Sequence, residues 1–473
     1  MYGLRYGVRL GQVGKDDKPH CTMKVPTEES RILKSYKMMA VKEHSLSNDE
    51  VIRYSRQILV QEFGVQGQER LRATSLLIVG AGGLGCPVAL YCAGAGIGRI
   101  GIVDGDFISS DNLHRQIAYD ENSIGQSKVE SIKSSVKRWW KFTVSIIFGD
   151  GIRLNSNVCI DVYKDYLFKR NALQIISKYD IVADCTDNVS ASCVLFWYLV
   201  NDACVLMKKP LVSGSVVRWD GQLSVYGYGE NCPCYRCVFP DPPPVDAVTN
   251  CSENGVLGPV VGIIGSMQAN EIIKIAAIKK CSFAGFLYLF DAFNGKTKTV
   301  KLRRQKTNCV VCSKHATITE LGDCKELYGC SAKTHVKNNL LTKSDRIDPY
   351  SYFKLNENND KKPLLIDTRP PHEFSIGHLS DAINIPMLRL CRSSSADIVR
   401  ELETSIKEMR DKGEMECANV VSAVYVICRR GEDSQIAVLY LRKEFADSLI
   451  SFKDIDGGYE KWSRAVDENF PIY

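Results

Sequence analysis

Residues 75–85 read SLLIVGAGGLG: a short run of bulky apolar side chains from Ser75 to Val79, then Gly80-Ala81-Gly82-Gly83-Leu84-Gly85. Such a run broken by glycines reads as a buried strand that ends in a tight turn. A helical stretch follows from Pro87 to Gly94, and a second apolar run, Arg99 to Val103, closes on Asp104. Strand, helix and strand in alternation predict an α/β fold with a parallel sheet and helices packed on its faces. A third buried strand, Asp180 to Asp184, leads into CTDN, and the pattern continues to about Cys312.

Beyond that point residues 313–345 are polar, Lys-rich and weakly patterned, which marks a linker. A second α/β unit over 346–473 is predicted from the buried runs Pro363 to Ile366 and Ala423 to Ile427 and a helical stretch near 396–412. Residues 1–47 show no sustained periodicity and read as a flexible extension, leaving 48–312 as the first domain. Two domains suit a chain of 473 residues with 45% apolar and 25% charged side chains.

A formal charge of +6 is small for this length and makes no case for a nucleic-acid partner. The longest apolar run read from the sequence, Ala191 to Val200, is too short to span a bilayer, so no membrane partner is expected. Near the N-terminus no apolar h-region stands out, and Asp16, Asp17, Glu28 and Glu29 oppose a transit peptide. The expected location is the cytosol. Nineteen cysteines in such a chain point to metal ligands and reactive thiols rather than a disulfide scaffold.

The glycine turn matches G-x-G-x-x-G between a strand and a helix, where backbone N–H groups can approach a phosphate and Asp104 can bond ribose hydroxyls. Alone, the motif fits a dinucleotide site equally well. Asp111-Asn112-Leu113-His114-Arg115-Gln116 lies just beyond, and Lys128 stands in GQSKVE. A triphosphate needs cations of this kind, to neutralise it and to stabilise a departing pyrophosphate. The plainer reading is that Arg115 and Lys128 are solvated surface charges.

Cys234-Tyr235-Arg236-Cys237 and Cys309-Val310-Val311-Cys312 form two C-x-x-C knuckles, the spacing of a closed, structural Zn2+ site. A redox pair or buried thiols are the alternatives, and Cys232 is a competing ligand beside the first knuckle. Cys251 lies in the polar loop VTNCSENG, accessible but with nothing local to lower its pKa. Cys428 follows the strand Val424 to Ile427 and opens the loop CRRGEDS before a helix. Loop N–H groups, a helix N-terminus and Arg429 and Arg430 would stabilise a thiolate or persulfide there.

RYSRQILVQEFGVQGQERL (Arg53 to Leu71), the glycine turn, DNLHRQ, GQSKVES and DCTDN (Asp184 to Asn188) together resemble the ubiquitin-activating enzymes. Within that family they are similar to the molybdopterin-synthase adenylyltransferases and their rhodanese-fused eukaryotic relatives. The resemblance implies a Rossmann-like adenylating domain with structural zinc, joined to a rhodanese domain. It implies ATP binding by Gly83, Asp104, Asp111, Asn112, Leu113, His114, Arg115, Lys128, Asp187 and Asn188, with Asp187 on Mg2+. Arg56 would reach the partner's ATP across a homodimer, and the two knuckles would be the zinc ligands. TNCSENGVLGPVVG resembles the segment whose cysteine, here Cys251, bonds covalently to the activated carrier, by thioester or disulfide.

Leu364 to Pro386 and CRRGEDSQ resemble the two signature segments of rhodaneses. Ser434 stands where a rhodanese-like phosphatase has an arginine, which excludes that chemistry. Asp433 would repel small anionic sulfur donors, so a protein persulfide, such as that of a cysteine desulfurase, is the expected donor. The implied reaction is adenylation of a carrier's C-terminal glycine, then sulfur transfer from a Cys428 persulfide to give a thiocarboxylate. The implied carriers are the ubiquitin-related modifier of wobble-uridine tRNA thiolation and the small subunit of molybdopterin synthase, which serves molybdenum-cofactor synthesis.

Two segments depart from the family's spacing: 138–152, whose alternation suggests an extra strand, and 190–197 beside Asp187. Either is a native insertion or non-native coding sequence, and Met39 is a candidate start. Three other readings stay open at this stage. The chain passes a ubiquitin-like protein to lysines, or it is a nucleotide-binding redox protein, or its insertions leave an adenylation-dead rhodanese scaffold.

Overall fold

A computed structural model describes residues 42–138, 154–186, 191–241, 255–303, 307–322, 340–358, 363–392, 400, 402, 404, 423–446 and 450–473. They form two compact units, Met1–Ala332 and Lys333–Tyr473.

The first unit is built on an eight-stranded sheet whose strands are β1 (Ser75–Val79), β2 (Arg99–Val103), β3 (Cys159–Tyr163), β4 (Ile181–Asp184), β5 (Leu211–Val217), β6 (Asp220–Tyr226), β7 (Phe286–Asp291) and β8 (Lys296–Lys301). Their order is β3-β2-β1-β4-β5-β6-β7-β8. The first five run parallel and the last three pair antiparallel. β1 and β4 are apolar almost throughout because helices cover both faces. The spacing before Asp180 conceals β3, whose alternating residues Ile160 and Val162 pack toward the main core.

Helix α1 (Asn48–Ile58) is closed by a capping box: Glu50 N–H donates to Ser47 Oγ at 3.1 Å, and Ser47 N–H to Glu50 Oε2 at 2.7 Å. Helix α2 (Gly64–Ala73) leads into β1. Helix α3 (Gly85–Ala95) follows the glycine turn and is buried almost all round. Helices α4 (Lys128–Arg138) and α5 (Lys169–Ile176) continue the alternation. Helix α6 (Ala191–Leu206) absorbs residues 191–197 of the second departure as its first turns. Residues 139–153 of the first departure lie outside the described residues.

One expectation is corrected here. Helix α8 (Gly258–Ile278; α7 is the single turn Tyr235–Val238) has 21 residues and is long and apolar enough to cross a membrane. Gly262, Gly265, Ser266, Gln268 and Asn270 break its apolar run in the sequence. It is a core helix, because its buried polar side chains are satisfied by the protein. Gln268 Nε2 donates to the carbonyls of Asp184 (2.8 Å) and Val212 (3.2 Å), and Glu271 accepts from Lys274 (2.6 Å) and Ser282 N–H (2.7 Å).

The second unit carries strands β9 (Arg346–Ile347), β10 (Leu364–Asp367), β11 (Ala382–Asn384), β12 (Ala423–Ile427) and β13 (Ser451–Ile455), all parallel, in the order β11-β10-β12-β13-β9. Alternate residues feed two cores. Leu364, Ile366, Val424 and Val426 pack against Ala437, Val438 and Leu441 of α12 (Asp433–Glu444). Leu365, Tyr425 and Ile427 pack on the other face against Tyr352 of α9 (Pro349–Asn358) and Tyr459 and Trp462 of α13 (Gly458–Ala465). Two short helices, α10 (Pro371–Phe374) and α11 (Met387–Arg392), complete the order. From the stretch 313–345, Leu341 is buried in the first of these cores. The expected helix near 396–412 falls almost entirely outside the described residues.

Candidate active sites

In the first unit the carboxyl ends of β1, β2 and β4 lie side by side, with Val79 opposite both Val103 and Asp184. The glycine turn leaves β1 there. Gly80 has φ +96°, and a Cβ on it would fall 2.7 Å from the Cys185 carbonyl oxygen. A Cβ on Gly83 would fall 2.6 Å from Val261, so the turn rests directly on α8. Asp104 is buried and ties the turn down: Oδ2 accepts Ala81 N–H at 2.7 Å and Oδ1 accepts Asp106 N–H at 2.8 Å. Burial raises its pKa, against the charge of Lys128 and these backbone bonds. The expected ribose ligand therefore also holds the loop together.

Lys128, the first residue of α4, is buried, and its Nζ lies 2.8 Å from Asp106 Oδ2. The Tyr166 hydroxyl donates to the other oxygen of Asp106, and its ring lies where a Cβ on Gly105 would go. Burial works to raise the Asp106 pKa, but the Lys128 hydrogen bond, the Tyr166 hydroxyl and the Lys128 charge together lower it. The solvated-charge reading of Lys128 is thereby excluded. Asp106 and Tyr166 were not read from the sequence. The D-x-D spacing with Asp104 is a signal for the first, and nothing local marks the second.

Asp111 and Asn112 sit in a turn in which Asn112 is buried, its Nδ2 donating to Asp111 Oδ2 at 3.2 Å. Leu113 packs on the core. Arg115 Nη1 donates to the Asp111 carbonyl at 2.8 Å and to His114 Nε2 at 2.7 Å. Burial and the Arg115 charge lower the His114 pKa, which favours the neutral ring. Arg56 is exposed on α1, while its neighbour Arg53 donates to the Leu154 carbonyl at 2.6 Å. Asp187, Asn188 and Cys251 lie outside the described residues.

The two knuckles converge. The Sγ atoms of Cys234, Cys237, Cys309 and Cys312 all lie within 4.8 Å of one another, with separations of 3.8 Å (234–237), 3.7 Å (234–309) and 3.4 Å (237–312). Zn–S bonds of about 2.3 Å in a tetrahedron put sulfurs about 3.8 Å apart, so the donor set fits Zn2+. Hydrogen bonds from Cys234, Cys237 and Cys312 push the Cys309 thiol well below its usual pKa. Cys232 stands outside the cluster, its thiol donating to the Val225 carbonyl at 3.5 Å. The first knuckle is braced by α6. Arg236 forms a buried bidentate pair with Asp202 (2.8 and 2.7 Å), and Asn201 Oδ1 accepts Tyr235 N–H at 2.8 Å.

In the second unit Cys428 directly follows β12, buried, with Gly431 N–H donating to its Sγ at 3.0 Å. Its thiol donates to Ser434 Oγ at 3.3 Å, and Ser434 in turn donates to Asp454 Oδ2 at 3.4 Å. Asp454 is fully buried against Arg346, at 2.9 and 3.0 Å. The turn at Gly457 and Gly458 backs the loop: Tyr459 N–H donates to the Cys428 carbonyl at 3.0 Å and Glu460 N–H to that of Arg429 at 2.9 Å. Burial raises the Cys428 pKa, with Asp433 adding to the rise. The Ser434 hydroxyl and the backbone of Ser434 and Arg430 oppose it. Burial is the largest of these influences and works against the anion that the loop's donors stabilise. Arg346, Asp454 and the Gly457-Gly458 turn were invisible in the sequence, since they come from distant strands and turns.

A model of the ThiF family matches residues 54–311, and one of the rhodanese-like domain matches residues 353–465. The adenylyltransferase and sulfurtransferase MOCS3 of Caenorhabditis briggsae is 47% identical over 429 residues, covering 90% of this chain and 98% of its own. The protein of the same name from Sus scrofa is 43% identical over 431 residues, covering 91% and 89%. Among solved structures, Escherichia coli MccB with MccA-N7isoASN aligns at a TM-score of 0.46 and 21% identity, over 62% of this chain and 84% of that one.

Proposed function

The chain belongs to the ThiF family and, within it, to the adenylyltransferases and sulfurtransferases of the MOCS3 type, and on that premise we propose how its residues divide the work. It is an ATP-binding adenylyltransferase joined to a rhodanese-type sulfurtransferase, and its partners are ubiquitin-like sulfur carriers. The carrier's C-terminal glycine carboxylate attacks the α-phosphate of ATP, and pyrophosphate leaves. The outer sulfur of a Cys428 persulfide then attacks the acyl-adenylate carbonyl, and AMP leaves. A reducing thiol cleaves the S–S bond of the resulting acyl disulfide at Cys428, which releases the thiocarboxylate and leaves Cys428 in a disulfide with that thiol. The carriers are the ubiquitin-related modifier of tRNA wobble-uridine thiolation and the small subunit of molybdopterin synthase, and a cysteine desulfurase loads Cys428 in the cytosol.

The observation that carries this reading is a buried Lys128 held beside a glycine turn at the carboxyl ends of parallel strands, where anionic ligands bind in such sheets. Gly83 lets the backbone approach the triphosphate. Asp104, Asp111, Asn112, Leu113 and His114 shape its floor, Arg115 and Lys128 supply positive charge, and Asn188 is a further ATP-binding residue. Asp187 holds Mg2+, which would neutralise part of the phosphate charge. No general base is required, because positioning and charge stabilisation supply most of the rate. Cys234, Cys237, Cys309 and Cys312 hold a structural Zn2+, and Cys251 bonds transiently to the activated carrier.

Arg56 serves the partner's site in a homodimer. Support for the dimer is an apolar groove between α3 and α8 that includes Tyr91, Ile117 and Ile263, all exposed. We assign residues 48–312 to the adenylating domain, 346–473 to the rhodanese domain and 313–345 to the linker, whose end at Leu341 packs into the rhodanese core. Carrier-dependent ATP–pyrophosphate exchange tests the reading. Exchange that requires a Gly-Gly-tailed carrier supports it, and no exchange from folded, zinc-loaded protein leaves only the rhodanese chemistry.

A further inference from the structure

Sulfur transfer of the kind proposed above needs one cysteine to pass through three states: a thiol, an attacking thiolate and a persulfide anion. The groups around Cys428 Sγ are few. Gly431 N–H donates to it at 3.0 Å, Ser434 Oγ lies at 3.3 Å, and the backbone N–H groups of Arg430 and Ser434 also point to it. No imidazole or ammonium hydrogen-bonds to it among the described residues. Ser434 is wholly buried and has a second neighbour, Asp454 Oδ2, at 3.4 Å. Its single proton can serve one of the two acceptors at a time.

We propose that Ser434 is a catalytic residue of sulfur transfer, a hydroxyl switch shared between Cys428 Sγ and the buried carboxylate of Asp454. With Cys428 as a thiol, S–H donates to Ser434 Oγ and the serine hydroxyl donates to Asp454. When Cys428 loses its proton to solvent, the hydroxyl turns about its Cβ–Oγ bond and donates to the anionic sulfur, beside Gly431 N–H. Asp454 keeps its two bonds from Arg346 throughout, at 2.9 and 3.0 Å, so the turn leaves no buried charge unpaired. Arg346 also donates to the Gly431 carbonyl at 3.3 Å, which fixes the loop against the same pair.

This inference rests on the sulfurtransferase reading, and its step balances without an external oxidant. The Cys428 thiolate attacks the outer sulfur of a donor persulfide, R–S–SH. One S–S bond forms as the donor's S–S bond breaks, and the electron pair leaves as R–S⁻. Cys428 then carries the persulfide, whose anion takes the same serine proton as a hydrogen bond.

The charged groups around the sulfur are Arg429, Arg430, Glu432 and Asp433 of its own loop, Arg346 of β9, Asp454 and Asp456 on and just beyond β13, and Glu460 and Lys461 of α13. Removing Ser434 leaves all of them in place. It takes an acceptor from the thiol and a donor from the anion, and the bond to the charged sulfur is the stronger of the two, so the thiol should become harder to ionise. Asp454→Asn should act in the opposite sense, because it removes a negative charge and weakens the acceptor that competes for the serine proton. Part of that second effect must vanish when Ser434 is absent.

The experiment follows iodoacetamide alkylation of Cys428 in the full chain against pH, read on the Cys428 peptide by mass spectrometry. Ser434→Ala is expected to raise the midpoint by about one pH unit, a tenfold loss of thiolate at fixed pH. Asp454→Asn is expected to lower it, and by less in the Ser434→Ala background. An unchanged midpoint in a folded Ser434→Ala protein overturns the proposal, as does an Asp454→Asn shift of equal size with and without Ser434. Should Asp454→Asn unfold the second unit, the Ser434→Ala midpoint decides alone. Loading of wild-type Cys428 by a persulfidated cysteine desulfurase, read as a gain of one sulfur in mass, is measured in parallel. Its failure counts against the sulfurtransferase reading, separately from the alkylation result.

Discussion

Lys128 Nζ lies 2.8 Å from Asp106 Oδ2, and the same lysine's backbone N–H meets the Asp106 carbonyl at 3.1 Å. The start of α4 is thereby pinned to the loop after β2, and a lysine that is only 9% exposed is held in one place with its charge balanced. An anionic substrate entering beside Asp104 meets a preorganised cation rather than a flexible surface side chain.

The first prediction follows from that pairing. Lys128→Met keeps much of the buried apolar stem and removes the charge, so the fold should persist while pyrophosphate exchange falls by about 10²–10³-fold, the usual loss for one preorganised electrostatic donor. Circular dichroism checks the fold, and carrier-dependent exchange reads the activity. Wild-type exchange from Lys128→Met would remove this residue from the site.

The four-cysteine cluster gives a second. Four sulfurs at tetrahedral spacing predict one zinc per chain by elemental analysis, lost in Cys312→Ser. Asp202→Ala should cost about 3–5 kcal/mol by chemical denaturation, because it removes the buried carboxylate that pairs with the Arg236 guanidinium beside the first knuckle. A loss below about 1 kcal/mol would mean that water reaches Arg236 once its partner is gone.

How legible these sites were depended on whether their parts lie close in sequence. The glycine turn, the two knuckles and the Cys428 loop are local, so spacing alone located them. Asp106 as the partner of Lys128, and Arg346 and Asp454 beneath Cys428, come together only when separate strands align, which periodicity does not encode. Strand β3 was missed because it follows an unfamiliar insertion, and α8 because glycines and buried amides interrupt its apolar run. At Cys428 the sequence shows the loop donors that stabilise an anion but not the depth of burial that opposes them.

Acid titration offers a third prediction. Hydrogen bonds from Arg442 and Thr342 hold Asp345 at a pKa of about 2, against 3.8 in the unfolded chain. A carboxylate with a lowered folded pKa stabilises the fold above its unfolded value and loses that contribution as pH falls toward the folded one. The melting temperatures of wild type and Asp345→Asn should therefore differ at pH 7 and converge between about pH 4 and pH 2. A gap that stays constant with pH would show that Asp345 acts through shape rather than charge.

The turn behind Cys428 supplies the last. Gly457 and Gly458 both have positive φ, at 75° and 54°, so alanine at either should cost about 1–3 kcal/mol in strain. Their surroundings differ. A Cβ on Gly457 meets the Lys461 side chain at 2.6 Å, whereas one on Gly458 falls 2.2 Å from the Cys428 carbonyl oxygen. Gly458→Ala must push the loop that carries Gly431 N–H away from its position under Sγ, and Gly457→Ala need not. Both variants should melt earlier than wild type, but only Gly458→Ala should also slow persulfide loading of Cys428 at a temperature where each is folded. Equal loading rates in the two would mean that the loop absorbs the displacement without moving the sulfur's donors.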